Sequence, residues 1–185
     1  MSEDSAIADR FDRSDTYYDR LHGDDGMFYG LPQLVDGLPG LTVSEVRLSI
    51  DKRTLHLGFD DDTNVWVFAA GDCCSSSWFE HIEGLDALLG HKVLKVVPRK
   101  MPEESQEIRP TEYDSGINEE VSIKYYGFTI ETARGRCDFE VRNSSNGFYG
   151  AELNVSRKRE YLKTKYAGDP VEFPDEAMKP LTEDF

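Results

Sequence analysis

The sequence predicts an α+β fold in which a single, sheet-dominated antiparallel domain carries two β-meanders with a short helical insert between them. Three observations lead there. Apolar residues recur mostly two apart from Leu41 to Phe59, and a more continuously apolar run follows from Val65 to Ala70. A second alternating stretch runs from Val121 to Val155. Between them, Trp78 to Leu89 carries apolar spacings near three and four, the period of a helix.

The first meander begins at Leu41. Val43, Val46, Leu48 and Ile50 lie mostly two apart, as on a half-buried strand. Asp51-Lys52-Arg53 makes a hairpin turn, and Leu55, Leu57 and Phe59 alternate again. Asp60 to Asn64 is a polar turn, and Val65 to Ala70 is a third strand. The insert follows. Gly71 to Ser77 is small and polar, so Asp72 or one of the serines is expected as the N-cap of a short helix, which Gly90 closes. Lys92 to Val97 reads as a strand stopped by Pro98. Residues 99–119 read as a solvated loop. Val121 to Thr132 is a long strand, Arg134-Gly135 a hairpin turn, and Arg136 to Arg142 the partner strand, with Cys137, Phe139 and Val141 on one face. Asn143 to Gly147 is expected to turn, because Asn-Gly tolerates positive φ. Phe148 to Val155 is the last strand.

The flanks differ in composition. Residues 1–26 are rich in Asp, Ser and Arg and read as a flexible N-terminal arm. Residues 27–155 are the single domain. Residues 156–185 form a charged C-terminal helix and tail: Ser156 to Lys165 is basic, and Pro170 to Phe185 is acidic with three prolines.

The 185 residues carry 36 acidic and 21 basic side chains, a formal net charge of -15. Such a surface repels phosphate backbones and anionic membranes, so nucleic-acid binding is disfavoured. Solubility, adaptation to high salt, and an acidic face for a basic partner (DNA mimicry included) all fit the charge. No stretch nears the roughly 20 apolar residues of a membrane span. The polar, acidic start is no signal peptide, and three cysteines make no secreted disulfide framework. These features point to the cytoplasm, that of the host cell if the gene belongs to a phage.

Asp72-Cys73-Cys74-Ser75 is the most unusual local chemistry. Adjacent thiols at a helix start would be acidified and nucleophilic. They could also ligate zinc, with Cys137 and His81 completing four ligands. Sequence neighbours seldom close one metal site, however, and no C-x-x-C spacing occurs. The bland alternative is a pair of small buried residues at a chain corner, with Asp72 and the serines holding free backbone N–H groups. A Cys–His or Ser–His dyad with His81 lacks an orienting third group. Asp60-Asp61-Asp62 lacks the ligand spacing of a calcium loop. No phosphate-binding glycine motif occurs. Arg157-Lys158-Arg159 with Lys163 and Lys165 is the basic cluster, suited to pairing with the chain's own acidic surface or to partner contact. No catalytic residue, metal site or cofactor is assigned.

Two segments carry a family resemblance. Gly71-Asp72-Cys73-Cys74-Ser75 with Ser77-Trp78, and Arg142-Asn143-Ser144-Ser145-Asn146-Gly147-Phe148-Tyr149-Gly150, resemble those of an uncharacterised domain-of-unknown-function family of phage and bacterial proteins. The resemblance covers Leu41 to Val155 and differs at Phe148, where Tyr is expected. It implies no reaction. It implies a phage or prophage accessory protein, and two segments that are neighbours in space. They either brace each other or line one polar site made of Asp72, Cys73, Cys74, Ser75, Trp78, Arg142, Asn143, Ser144, Asn146 and Tyr149.

The functional expectation is a non-enzymatic interaction protein that binds a host or viral macromolecule, with a protein as the partner. The alternatives are a small polar-ligand binder with its site between the Asp72 corner and the Asn143 turn, and a cysteine-dependent enzyme.

Overall fold

A computed structural model describes residues 31–71, 75–100, 105–110, 118–145, 151–157 and 178–185. In chain order the elements are α1 (Leu31–Gly37), β1 (Val43–Ser49), β2 (Thr54–Phe59), β3 (Asn64–Gly71), β4 (Ser75–Glu83) and α2 (Leu85–Leu88). They continue with β5 (Val93–Lys100), β6 (Ser105–Pro110), β7 (Asn118–Thr132), β8 (Arg136–Ser145), β9 (Ala151–Ser156) and β10 (Met178–Pro180). The structure is dominated by sheet. The helices among the described residues have seven and four residues, so α+β fits only loosely.

Sheet one has the order β10-β1-β2-β3-β9, and sheet two the order β4-β8-β7-β5, with β6 beside the first part of β7. Every strand pairing among the described residues is antiparallel. The meander β1-β2-β3 forms as expected, except that a bulge between Val43 and Glu45 interrupts β1 and Ile50 lies beyond the strand, exposed. Val46, Leu48, Leu55, Leu57, Phe59, Val65, Val67 and Ala69 all point inward, where they meet Phe79, Tyr126, Phe128, Phe139 and Val141 of sheet two in one core. Burial of these side chains is the main favourable contribution to the fold.

Several expectations are corrected. Ser75–Glu83 is a strand, not a helix. A bulge between Phe79 and His81 shifts the phase, so the buried residues Phe79 and Ile82 fall three apart and imitate a helical step. The true helix is only Leu85–Leu88. Pro98 does not stop β5: it pairs with Phe128 on an edge strand, where its missing N–H is not needed. Part of the expected loop 99–119 is β6, a polar strand at the sheet edge with register partners from Asn118 to Ile123. Asn143, Ser144 and Ser145 do not turn but extend β8. β9 does not return to the second meander. It joins β3 in sheet one, from Trp66↔Ser156 to Gly71↔Ala151. α1 was not expected. Leu31, Leu34 and Leu38 are buried at helical spacing, and Pro32 sits in the first turn, where its lack of an N–H is harmless.

The stretch read as a tail contributes β10, which pairs with β1. Residues 1–26, residues 158–165 of the expected basic helix, and the segments 72–74 and 146–150 lie outside the described residues. No helix among the described residues is long and apolar enough to cross a membrane.

Candidate functional site

The two singled-out segments lie side by side. Ser75 pairs with Ser145, Ser76 with Ser144, Ser77 with Asn143 and Trp78 with Arg142. Asp72, Cys73, Cys74, Asn146 and Tyr149 fall outside the described residues. The others divide between the faces of sheet two, because successive side chains on a strand point opposite ways.

On the inner face sit Ser75, Ser77, Asn143 and Ser145, continuing the apolar rows of Phe79 and Val141 toward the strand ends. Ser77 and Asn143 are fully buried and Ser145 nearly so. The Asn143 amide donates to the Ser77 hydroxyl at 3.0 Å and, at the limit of a hydrogen bond, to the Ser76 carbonyl at 3.5 Å. This arrangement braces two strands: it satisfies buried polar groups across the seam.

On the outer face sit Ser76, Trp78 and Glu80 of β4, with Glu140, Arg142 and Ser144 of β8. Arg142 is the register partner of both Trp78 and Tyr125, so the three form one cross-strand row over β4, β8 and β7. Their chain neighbours Phe79, Val141 and Tyr126 point into the core. All three are partly exposed. The Arg142 guanidinium lies 4.9 Å from the Tyr125 ring centre, a cation–π contact. It also bridges Glu80 at 3.3 Å and Glu140 at 3.1 Å. The Trp78 indole N–H donates to Glu80 at 2.5 Å. Next to this row, Arg53 of the β1–β2 hairpin donates to Ser76 Oγ at 2.9 Å.

Burial is the largest single influence on Glu80 and raises its pKa. The Trp78 hydrogen bond and the charges of Arg142, Lys52 and His81 together outweigh it, so the carboxyl sits below its usual value of 4.5. A carboxylate with a lowered folded-state pKa stabilises the fold above the unfolded-state value, and this is lost as pH falls through the folded-state value. Wild type will therefore hold a constant stability advantage over Glu80→Gln near neutrality. The advantage will shrink as the pH drops below the ordinary Glu range, read by denaturant titrations at a series of pH values. An advantage that persists unchanged into strong acid would rule the network out as its source.

Tyr125, Glu80, Glu140 and Arg53 belong to this cluster and were not singled out from the sequence. Alternation with Tyr126, Phe128 and Ile130 does place Tyr125 outward, but its pairing with Arg142 depends on a register that sequence does not show.

Of the three cysteines, Cys73 and Cys74 lie outside the described residues, which leaves Cys137. Cys137 is buried in the core, and burial first, then Asp184, Asp138 and Asp86, push its thiol far above the usual range. It is a small apolar residue in this setting. His81 faces the opposite side of the sheet, beside Glu140. Among the described residues no group of three or more His, Cys, Asp or Glu side chains is placed to hold a metal ion.

The sequence model of a family described as Domain of unknown function (DUF7448) matches residues 37–155, well over half of the chain and including both segments. No curated protein and no solved structure matches it.

Proposed function

The chain belongs to the DUF7448 family, a domain of unknown function, and on that premise we propose that it is a non-enzymatic interaction protein that docks a protein partner on the outer face of sheet two. The observation that carries this reading is the row Trp78–Arg142–Tyr125. Trp, Tyr and Arg dominate the energetics of protein interfaces, because each offers a large contact area with a polar end. Here the three stand in register on a rigid sheet. The ion pairs to Glu80 and Glu140 hold the guanidinium in place, so little side-chain freedom is lost on binding. The resemblance to phage and bacterial proteins extends the reading to a phage or prophage accessory protein, acting in the host cytoplasm.

The charges of the outer face support one mode of docking. Arg142 pairs with Glu80 and Glu140, Arg99 and Arg136 with Asp138, and Lys95 with Glu131. In these described pairs the charges offset one another although the chain is strongly acidic, and on this reading apolar and cation–π contact governs docking there. The small-ligand alternative has less support. The Asn143 amide is already engaged with Ser77 and Ser76 on the inner face.

Capture from host lysate on immobilised wild type, Trp78→Ala and Tyr125→Ala, all checked for native circular dichroism, tests the proposal. The expected result is a protein that wild type retains at ~1 M salt, where the Debye length is ~3 Å, and that both variants lose. Identical captured sets for all three chains, or no protein specific to the wild type, would overturn it.

A further inference from the structure

Residues 178–185 lie between the edges of the two sheets. Met178, Lys179 and Pro180 extend sheet one, opposite Ser49, Leu48 and Arg47. The Leu181 N–H donates to the Val46 carbonyl at 2.8 Å, and its side chain packs on the core. Phe185 and Ile82 of β4 exchange two backbone hydrogen bonds, each 2.8 Å. The Asp184 carboxylate accepts from the N–H groups of Gly84 and Leu85 at 2.8 and 2.9 Å, satisfying the start of α2. The Lys52 ammonium lies 4.6 Å from the Phe185 ring centre. This is how a peptide binds by strand addition: main-chain bonds to an edge, with side chains seated beside it.

The connectivity adds a second observation. β9, which precedes this segment, and β10 are the two outermost strands of sheet one. Four strand spacings separate them, about 19 Å. The connection holds residues 157–177, twenty-one residues, and such a length can reach up to ~69 Å. A connection of that length does not dictate which chain supplies residues 178–185, and every contact they make can be made within one chain or between two.

We infer that the cleft between β1 and β4 is a strand-binding site that also accepts residues 178–185 of a second copy, giving a strand-exchanged dimer. The contacts are the same in the closed monomer and the exchanged dimer. Protein concentration, set against the effective concentration of the tethered segment, decides between them.

The test uses the full chain and a fluorescent peptide of residues 178–185. In the wild type the tethered segment competes with the peptide. Weakening it by Leu181→Ala, or by Asp184→Ala, which leaves the core untouched, should raise peptide affinity at least tenfold by anisotropy. Sedimentation of the wild type should show a dimer fraction that grows with concentration and falls when unlabelled peptide is added. Equal affinity for all three chains, or no saturable binding, would refute the cleft. Peptide binding by a wild type that stays monomeric at every concentration would refute the second copy as its occupant.

Discussion

Gly127→Ala will destabilise the protein by about 3 kcal/mol or more, since it combines overpacking with a backbone conformation that L residues avoid. Gly127 lies inside β7 with strands on both sides, opposite Arg99 of β5 and Glu140 of β8. Its φ is +152°, and a Cβ there would stand 1.9 Å from the Phe139 carbonyl oxygen and 3.0 Å from its carbon. Neither neighbour can yield, because both are backbone atoms of a central ladder. Gly90 is the control: its φ is +76° but nothing lies within 4 Å of an added Cβ. Gly90→Ala should cost only the left-handed strain, about 1–2 kcal/mol. Urea denaturation of the two variants separates strain from collision. Equal losses would mean that β8 does not approach β7 as closely as described.

The same close approach shows which parts of the fold could be read beforehand. The strands β1, β2 and β3 were legible because each puts an apolar face into the core, although a bulge between Val43 and Glu45 interrupts β1. β4 was misread because its bulge imposes a three-residue step between Phe79 and Ile82, and a local pattern cannot distinguish that from a helix. β10 is only Met-Lys-Pro, too short for any pattern. Its existence depends on the free edge of β1, which is a tertiary fact.

The site divides in the same way. That Ser75–Trp78 and Arg142–Ser145 belong together was legible from the paired segments. How they belong was not. Asn143 and the serines are the usual residues of a turn, yet Asn143 is a fully buried strand residue because Ser77 stands opposite to take its amide proton. Composition argued for a turn, and a partner 66 residues away decided for a strand. Strand alternation then parted Asn143 from Arg142, so one set of polar residues became an inner brace and an outer row.

The brace and the row share β8, whose packing against β7 rests in part on Phe139. Phe139 and Phe128 are register partners across β7 and β8, both fully buried, with rings stacked at 4.7 Å and 15° between planes. Phe139→Ala will cost about 3–5 kcal/mol, the range for emptying an aromatic site in a packed core. Phe139→Leu keeps most of the volume and should cost markedly less, about 1.5 kcal/mol. The loss reaches the surface as well. Arg142 is held over Tyr125 only while β8 keeps its register against β7, and that register places Val141 beside Tyr126 one step from the Phe pair. Phe139→Ala should therefore weaken the partner binding proposed for the Trp78–Arg142–Tyr125 row under conditions where the chain is still mostly folded, whereas Phe139→Leu should retain it. Denaturation curves paired with the capture assay read both effects. A loss below about 1 kcal/mol for Phe139→Ala would show that the Phe pair does not carry the hairpin, because so small a cost is typical of surface substitutions rather than of core cavities.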